Sequence, residues 1–127
     1  MVLVAVIAIA VGLGVWRRRT DGRVRDGAGV LDAAALRAPL GERATLVQFS
    51  SDFCQPCKAA HRVLAAAATD GVAHVEVDAA ARGDLVRRFG VRRTPTLLVL
   101  DPVGRVVHRA SGVPARADIE TALGVLR

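Results

Sequence analysis

The chain has 127 residues, enough for one ordinary domain but not for two domains and a membrane segment. Its formal net charge is +6, and the basic residues are arginines except for Lys58. Nucleic-acid binding would need a broad basic face with stacking aromatic side chains, and three Phe, one Trp and no Tyr do not supply it. We therefore expect no nucleic-acid partner.

The N-terminal run, residues 1–16, has no charged side chain and is followed by three consecutive arginines. As a helix it would rise about 24 Å, slightly short of the ~20 residues usually needed to span the hydrocarbon core. Trp16 suits the membrane interface and the arginines can reach the headgroups, so the pattern predicts an uncleaved transmembrane helix that brings residues 1–19 into contact with lipid. A cleaved secretory signal and a buried core helix are the alternatives.

The charge distribution also predicts an orientation. The positive side chains near the apolar run all follow it, and Lys and Arg prefer the cytoplasmic side of a membrane. We therefore expect a single-pass membrane protein with its C-terminal domain in the cytoplasm, with an extracytoplasmic domain as the alternative. Residues 17–29, rich in Gly and charge, indicate a basic juxtamembrane linker, although "VRDG" within them fits a short first strand.

Residues 30–127 show alternating helix and strand patterns and form the predicted folded domain. Asp32 is placed to cap a short first helix. The predicted elements are helix 33–38, strand 44–50, helix 55–70, strand 72–79, helix 82–90, strands 96–101 and 105–112, and helix 115–127. A helical crossover should make the first two strands parallel, and a tight turn should make the last two antiparallel. The order predicts an α/β fold whose mixed central sheet is flanked by helices on both faces.

The only two cysteines, Cys54 and Cys57, are separated by two residues at the start of the predicted helix 55–70. A structural zinc site would need four ligands, and no second ligand pair is present. A structural disulfide closing so short a loop would stabilise the fold little, and a cytoplasmic domain would not keep it oxidised. Redox exchange is favoured over both, because the unpaired N–H groups at a helix start stabilise a thiolate at Cys54, and Cys57 can resolve the mixed disulfide.

Together with this pair, several segments resemble the thioredoxin family over roughly residues 30–127. The matching segments are "TLVQFSSDFCQPCK", "VEVD", "VRRTPTLLVLDPVGRVVHRASG" and a closing helix. A lone C-x-x-C is weak, but C-x-P-C after an apolar strand, followed by "TPT" and a glycine-bearing hairpin, is specific in combination. The resemblance implies a thioredoxin-like fold for this part of the chain and no metal or organic cofactor.

The resemblance also implies roles for individual residues. Cys54 would be the nucleophile and Cys57 the resolving thiol. Pro95 would be the family's cis-proline, which faces the cysteines. The positions implied in substrate binding are Phe53, Gln55, Pro56, Thr94, Pro95 and Gly112. Phe53 and Gln55 depart from the Trp and Gly that the family commonly has at these positions.

Two further positions depart from the family pattern and bear on proton transfer. Gln48 stands where the family usually has a buried Asp that relays a proton to the resolving cysteine, and an amide cannot exchange a proton at neutral pH. His74 stands where a lysine usually pairs with that Asp. Gln48 and His74 are therefore possible proton-relay positions, and deprotonation of Cys57 is either slow or uses water or His74.

The predicted function is that of a membrane-anchored thiol–disulfide oxidoreductase. It would reduce protein disulfides through a Cys54–Cys57 dithiol/disulfide cycle and draw electrons from a thioredoxin reductase or a similar donor. One alternative is a redox sensor or docking module with slow turnover, which the change at Gln48 favours. Another is an extracytoplasmic disulfide oxidoreductase, which would use the same chemistry with different partners.

Overall fold

The structure is a computed structural model, and it describes residues 1–126. Its elements in chain order are α1 (Val2–Thr20), β1 (Arg25–Asp26), α2 (Ala33–Leu36), β2 (Ala44–Ser50), α3 (Gln55–Ala67), β3 (Val72–Asp78), α4 (Gly83–Arg88), β4 (Thr96–Leu100), β5 (Val106–Ser111) and α5 (Arg116–Gly124). Every helix and strand predicted after residue 30 is present, and the helices are a few residues shorter than predicted. The last residue of the predicted helix 115–127 lies outside the described residues. The short strand β1 lies within "VRDG", so the segment 17–29 contains the last turn of α1 and a strand.

The five strands form one mixed sheet in the order β1-β5-β4-β2-β3. β2 and β3 are parallel, as predicted from their helical crossover. β4 and β5 are antiparallel, as predicted from the tight turn between them. β4 also pairs antiparallel with β2, and β1 adds an antiparallel edge beside β5. The predicted mixed α/β sheet is confirmed.

Helices cover both faces of the sheet, as predicted. One face packs against α2 and α4, and its buried side chains include Leu36, Phe49, Leu85, Phe89, Leu98 and Leu100. The other face packs against α3 and α5, and its buried side chains include Leu46, Leu64, Leu97, Val99, Ile119 and Leu123. β2 lies between these layers and is buried along its whole length, which places the polar side chain of Gln48 in the interior.

Local signals explain where the shorter elements begin and end. The carboxylate of Asp32 accepts a hydrogen bond of 2.8 Å from the N–H of Ala35, so Asp32 caps α2 as predicted. Arg37 adopts a left-handed conformation and ends that helix after one turn. Gly104, at φ +91°, forms the turn between β4 and β5, where an added Cβ would press on the backbone of Leu31. These positions therefore set the two ends of α2 and the turn between β4 and β5.

The N-terminal helix differs from the predicted transmembrane helix. Helix α1 does form, but its charge-free part ends at Trp16 and its last turn carries Arg17, Arg18 and Arg19. Within residues 1–126, no helix is both long enough and apolar enough to cross a membrane. The prediction that residues 1–16 span a membrane was therefore wrong. An apolar helix of that length rises only about 24 Å, which is less than the ~30 Å thickness of the hydrocarbon core.

Candidate active site

The two cysteines lie where β2 ends and α3 begins, as predicted. Cys54 is the N-cap of α3, and its Sγ accepts a hydrogen bond of 3.2 Å from the backbone N–H of Cys57. The two sulfurs are joined in a disulfide. Cys57 is only 5% exposed, whereas Cys54 is partly exposed. A partner can therefore reach the sulfur of Cys54, while that of Cys57 is shielded behind it.

The residues around the disulfide present an open surface. Phe53 precedes Cys54 in a left-handed conformation, with φ 58°, and its side chain is fully exposed. Gln55 and Pro56 form the exposed first turn of α3. Pro56 is well placed there, because the first-turn N–H that it lacks has no partner within a helix. An exposed aromatic ring beside a reactive sulfur can contact the apolar part of an incoming polypeptide.

The loop before β4 lies on the other side of the disulfide. The Thr94–Pro95 peptide bond is cis, as predicted. The Oγ1 of Thr94 lies 3.8 Å from the Sγ of Cys54 and 2.8 Å from the Oγ of Ser51. The carbonyl of Pro95 accepts a hydrogen bond of 2.8 Å from the N–H of Gly112. Thr94 therefore lies beside the disulfide, and Gly112 is joined to the neighbouring Pro95. Ser51, which sequence reasoning missed, forms a hydrogen bond with the hydroxyl of Thr94.

The connection from α1 to the domain lies against the same region. The carboxylate of Asp21 is beside Gly112, at a position that a Cβ on Gly112 would occupy. Asp21 forms an ion pair with Arg93, and the N–H of Gly22 donates to the carbonyl of Ser111 at 2.6 Å. Sequence reasoning did not identify this contact, because the partners lie far apart in the chain and the segment resembles an ordinary linker.

Gln48 connects the resolving cysteine to the interior. Its Nε2 donates hydrogen bonds to the carbonyl of Cys57 at 2.9 Å and to the Oγ of Ser50 at 3.0 Å. Since a carbonyl can only accept, the amide nitrogen faces Cys57 and the Oε1 faces His74. The Nε2 of His74 therefore donates to the Oε1 of Gln48, over 3.0 Å. The structure thus brings together the two predicted proton-relay positions.

His74 belongs to a polar group beside the cysteines. The pKa of His74 is lowered, mainly by burial and then by the nearby His61, while the carboxylate of Glu76 acts in the opposite direction. The Nδ1 of His61 lies 2.7 Å from the Oε2 of Glu76, and the rings of His61 and His74 are 5.0 Å apart. His74 is therefore neutral near pH 7, with its proton on Nε2. The amide of Gln48 separates it from Cys57 and has no exchangeable proton to pass on.

This combination of a helix-capping cysteine, a second cysteine one turn later and a neighbouring cis-proline defines a thiol–disulfide oxidoreductase site. Comparison with known proteins agrees: a family model described as Thioredoxin matches residues 32–124. The chain therefore belongs to the thioredoxin family, and the predicted thioredoxin-like fold is confirmed. No match is found among curated protein sequences.

Solved structures with a similar fold include three thioredoxins. A mutant thioredoxin from Halobacterium salinarum is 23% identical with a TM-score of 0.60, over 67% of this chain and 75% of that one. A thioredoxin from Nicotiana alata is 28% identical with a TM-score of 0.59, over 68% and 75%. A thioredoxin from Malassezia sympodialis, described as a pan-allergen family member, is 19% identical with a TM-score of 0.56, over 68% and 79%.

Proposed function

We propose that this protein reduces disulfide bonds in other proteins. The observation that carries the proposal is the arrangement of the two sulfurs: Cys54 caps α3 and is accessible, while Cys57 is buried behind it. The helix start and the hydroxyl of Thr94 both stabilise negative charge on the sulfur of Cys54. A thiolate is the form that attacks a disulfide, so Cys54 is suited to the first step.

The reaction follows from this order of access. The thiolate of Cys54 attacks one sulfur of a substrate disulfide, forms a mixed disulfide and releases the other substrate sulfur as a thiolate, which takes up a proton. Cys57 then loses its proton and attacks the Sγ of Cys54, which releases the second substrate thiol. The substrate gains two electrons, and the protein is left with the Cys54–Cys57 disulfide seen here. An external dithiol, of the kind that a thioredoxin reductase supplies, would restore the reduced pair.

The substrate would dock across the residues that flank the disulfide. The exposed ring of Phe53 and the first turn at Gln55 and Pro56 provide one side. Thr94 and Pro95 provide the other side, where Gly112 is bonded to the carbonyl of Pro95 and has the carboxylate of Asp21 against it. Open, shallow surfaces of this kind favour recognition of backbone and local shape over one fixed side chain, which fits disulfide-bearing protein substrates.

A redox sensor with slow turnover is the second candidate, and one observation favours it. Gln48 is fully buried and uses its amide to hold the carbonyl of Cys57, so no acidic or basic side chain contacts the resolving cysteine at this position. Slow deprotonation of Cys57 would prolong the mixed disulfide with a partner. Such a protein would report oxidation through its complexes instead of reducing many substrate molecules.

Reduction of insulin by the intact chain, with a dithiol donor in excess, tests the proposal. We expect many insulin molecules to be reduced per protein molecule, whereas stoichiometric reaction alone would support the sensor. The direction is tested by the redox potential of the cysteine pair in glutathione or dithiothreitol buffers. A reductase should have a redox potential similar to that of thioredoxins, about −270 mV. A value similar to that of strongly oxidising proteins, about −120 mV, would overturn the proposed direction.

We further propose that α1 holds the protein at a membrane, with the domain on the cytoplasmic face. The apolar side chains of α1 are exposed on all sides, and none packs on the domain. A helix that is apolar all round needs an apolar environment. The arginines at its end are placed to contact phosphate headgroups, and the anionic lipids of the cytoplasmic leaflet attract such basic segments.

Deletion of residues 2–16 tests this attachment. We expect the intact chain to float with lipid vesicles in a density gradient and the shortened chain to remain at the bottom, because the deletion removes the exposed apolar surface. Circular dichroism and cooperative urea unfolding should show that the domain of the shortened chain is still folded. Equal flotation of both chains would rule out α1 as the attachment, and trimming of the domain by protease added outside intact cells would rule out the cytoplasmic side.

A further inference from the structure

Three side chains beside the redox pair form a cluster that the proposed reduction does not use. They are His61, His74 and Glu76, and one ligand atom from each lies within 4.8 Å of the others. His74 and Glu76 are two residues apart on β3, so they point to the same side of the sheet, toward α3, which carries His61. We propose that the His61–His74–Glu76 cluster is a binding site for a divalent transition-metal ion such as Zn²⁺.

The first argument is the orientation of His74. Gln48 is fixed by its two donated hydrogen bonds, so its Oε1 must accept the N–H of His74 Nε2. The other ring nitrogen, Nδ1, therefore carries a lone pair. Metal-binding histidines in proteins characteristically donate their second N–H to a carbonyl or carboxylate oxygen, which fixes the tautomer and the ring. Gln48 does this for His74, because its Oε1 lies 3.0 Å from the Nε2 of that ring.

The second argument is the pairing of His61 with Glu76. The Nδ1 of His61 and the Oε2 of Glu76 are 2.7 Å apart and are joined by a hydrogen bond. A metal ion between them would displace the proton of that bond, which would be released to solvent. Two ligand atoms at ~2.1 Å from a tetrahedral ion lie about 3.4 Å apart, so this pair must open by less than 1 Å. Both side chains are about half exposed, at 53% and 47%, and are free to make that adjustment.

The ligand types define the class of metal. Two imidazoles and one carboxylate match zinc sites with three protein ligands and one open position. Imidazole nitrogen suits zinc, copper and nickel, whereas magnesium and calcium prefer oxygen ligands alone. His61 and Glu76 also line the groove that contains Cys54 and Cys57. The open position is thus accessible from the surface where substrates would dock.

This site does not depend on the cysteines, which separates it from a metal site built on C-x-x-C. In the oxidised protein both sulfurs are held in the disulfide and cannot act as thiolate ligands. Metal binding by the oxidised protein would therefore report the His61–His74–Glu76 cluster alone. The proposal also stands apart from the reductase activity, since it could hold for a sensor or for an inactive domain.

Titration of the oxidised intact chain with Zn²⁺ and with Co²⁺, in a mild detergent, tests the proposal. Calorimetry measures the affinity and stoichiometry for Zn²⁺, and the visible absorption of Co²⁺ reports its coordination. We expect one ion per chain and a Co²⁺ spectrum typical of nitrogen and oxygen ligands. His61→Ala and Glu76→Gln should each weaken binding roughly tenfold or more, because even the loss of a group that only orients a ligand has an effect of about 10- to 100-fold.

The third histidine provides the matched control. His108 lies on β5, outside the cluster, and His108→Ala should leave the affinity unchanged. His61→Ala and Glu76→Gln change half-exposed side chains, so both variants should fold, and circular dichroism with cooperative urea unfolding checks this. Absence of binding by the oxidised protein, or binding that His61→Ala and Glu76→Gln do not weaken, would overturn the proposal. Binding by the reduced protein alone would overturn it too and would identify the cysteines as ligands.

Discussion

Cys57→Ser should convert the protein into one that stops at the mixed disulfide. Cys54 remains accessible and attacks the substrate disulfide, but a serine hydroxyl at the buried position cannot release the substrate from the resulting mixed disulfide. We expect insulin turnover to fall on the order of 10⁴-fold, the scale seen when one member of a catalytic unit is lost. Non-reducing electrophoresis and mass spectrometry should show a stable covalent complex between the variant and its substrate.

Cys54→Ser is the matched control, because it removes the accessible sulfur and leaves the buried one. This variant should lose turnover to a similar extent without accumulating a covalent complex. The reverse pattern, with complexes trapped by Cys54→Ser, would exchange the roles of the two cysteines. Normal turnover by Cys57→Ser would exclude the two-cysteine cycle and leave a mechanism in which an external thiol resolves the mixed disulfide.

Gln48→Asp should speed the reduction of disulfides. The introduced carboxyl would lie near Cys57 and could accept its proton, which the amide cannot do. A positioned general base contributes on the order of 10² to 10⁴ in rate, so a gain of about 10-fold or more is expected in the step that resolves the mixed disulfide. Rapid-mixing kinetics that follow the decay of the mixed disulfide would measure it.

The same substitution should lower stability. Gln48 donates to the carbonyl of Cys57 and to Ser50, and a carboxylate cannot donate in its place. Leaving a buried acceptor without its partner costs roughly 1–3 kcal/mol, which urea unfolding would detect. Gln48→Asn controls for the shorter side chain, since it has no acid–base function and should give no gain in rate. An unchanged rate in Gln48→Asp would show that proton transfer at this position does not limit the reaction.

Much of the fold could be predicted because its signals are local. Asp32 stands before a helical run, and Gly104 lies in a tight turn between two apolar strands. The cysteine pair could be placed at a helix start because a buried strand precedes it and Pro56 follows. The strand directions followed from the type of connection between neighbouring elements.

The remaining features depend on contacts between distant parts of the chain. The insertion of β4 between β2 and β5 is set by packing of the whole sheet, and no local pattern indicates it. The contact of His61 with Glu76 requires the register between α3 and β3, which the sequence does not specify. Ser51 gave no signal of its own, since a serine after a strand is common. The sequence shows that the apolar run ends at Trp16, but the predicted transmembrane helix gave too little weight to how short that run is.

The short connection between α1 and the domain bears on which substrates the protein could meet. Helix α1 ends at Thr20, and Gly22 is already bonded to Ser111, so almost no free chain separates the two parts. With α1 in a lipid bilayer, the domain could not move independently of the helix. Its disulfide would therefore keep a fixed height and tilt above the lipid surface. The protein would then sample partners by lateral diffusion, and it would select disulfides by their distance from the bilayer as well as by their sequence.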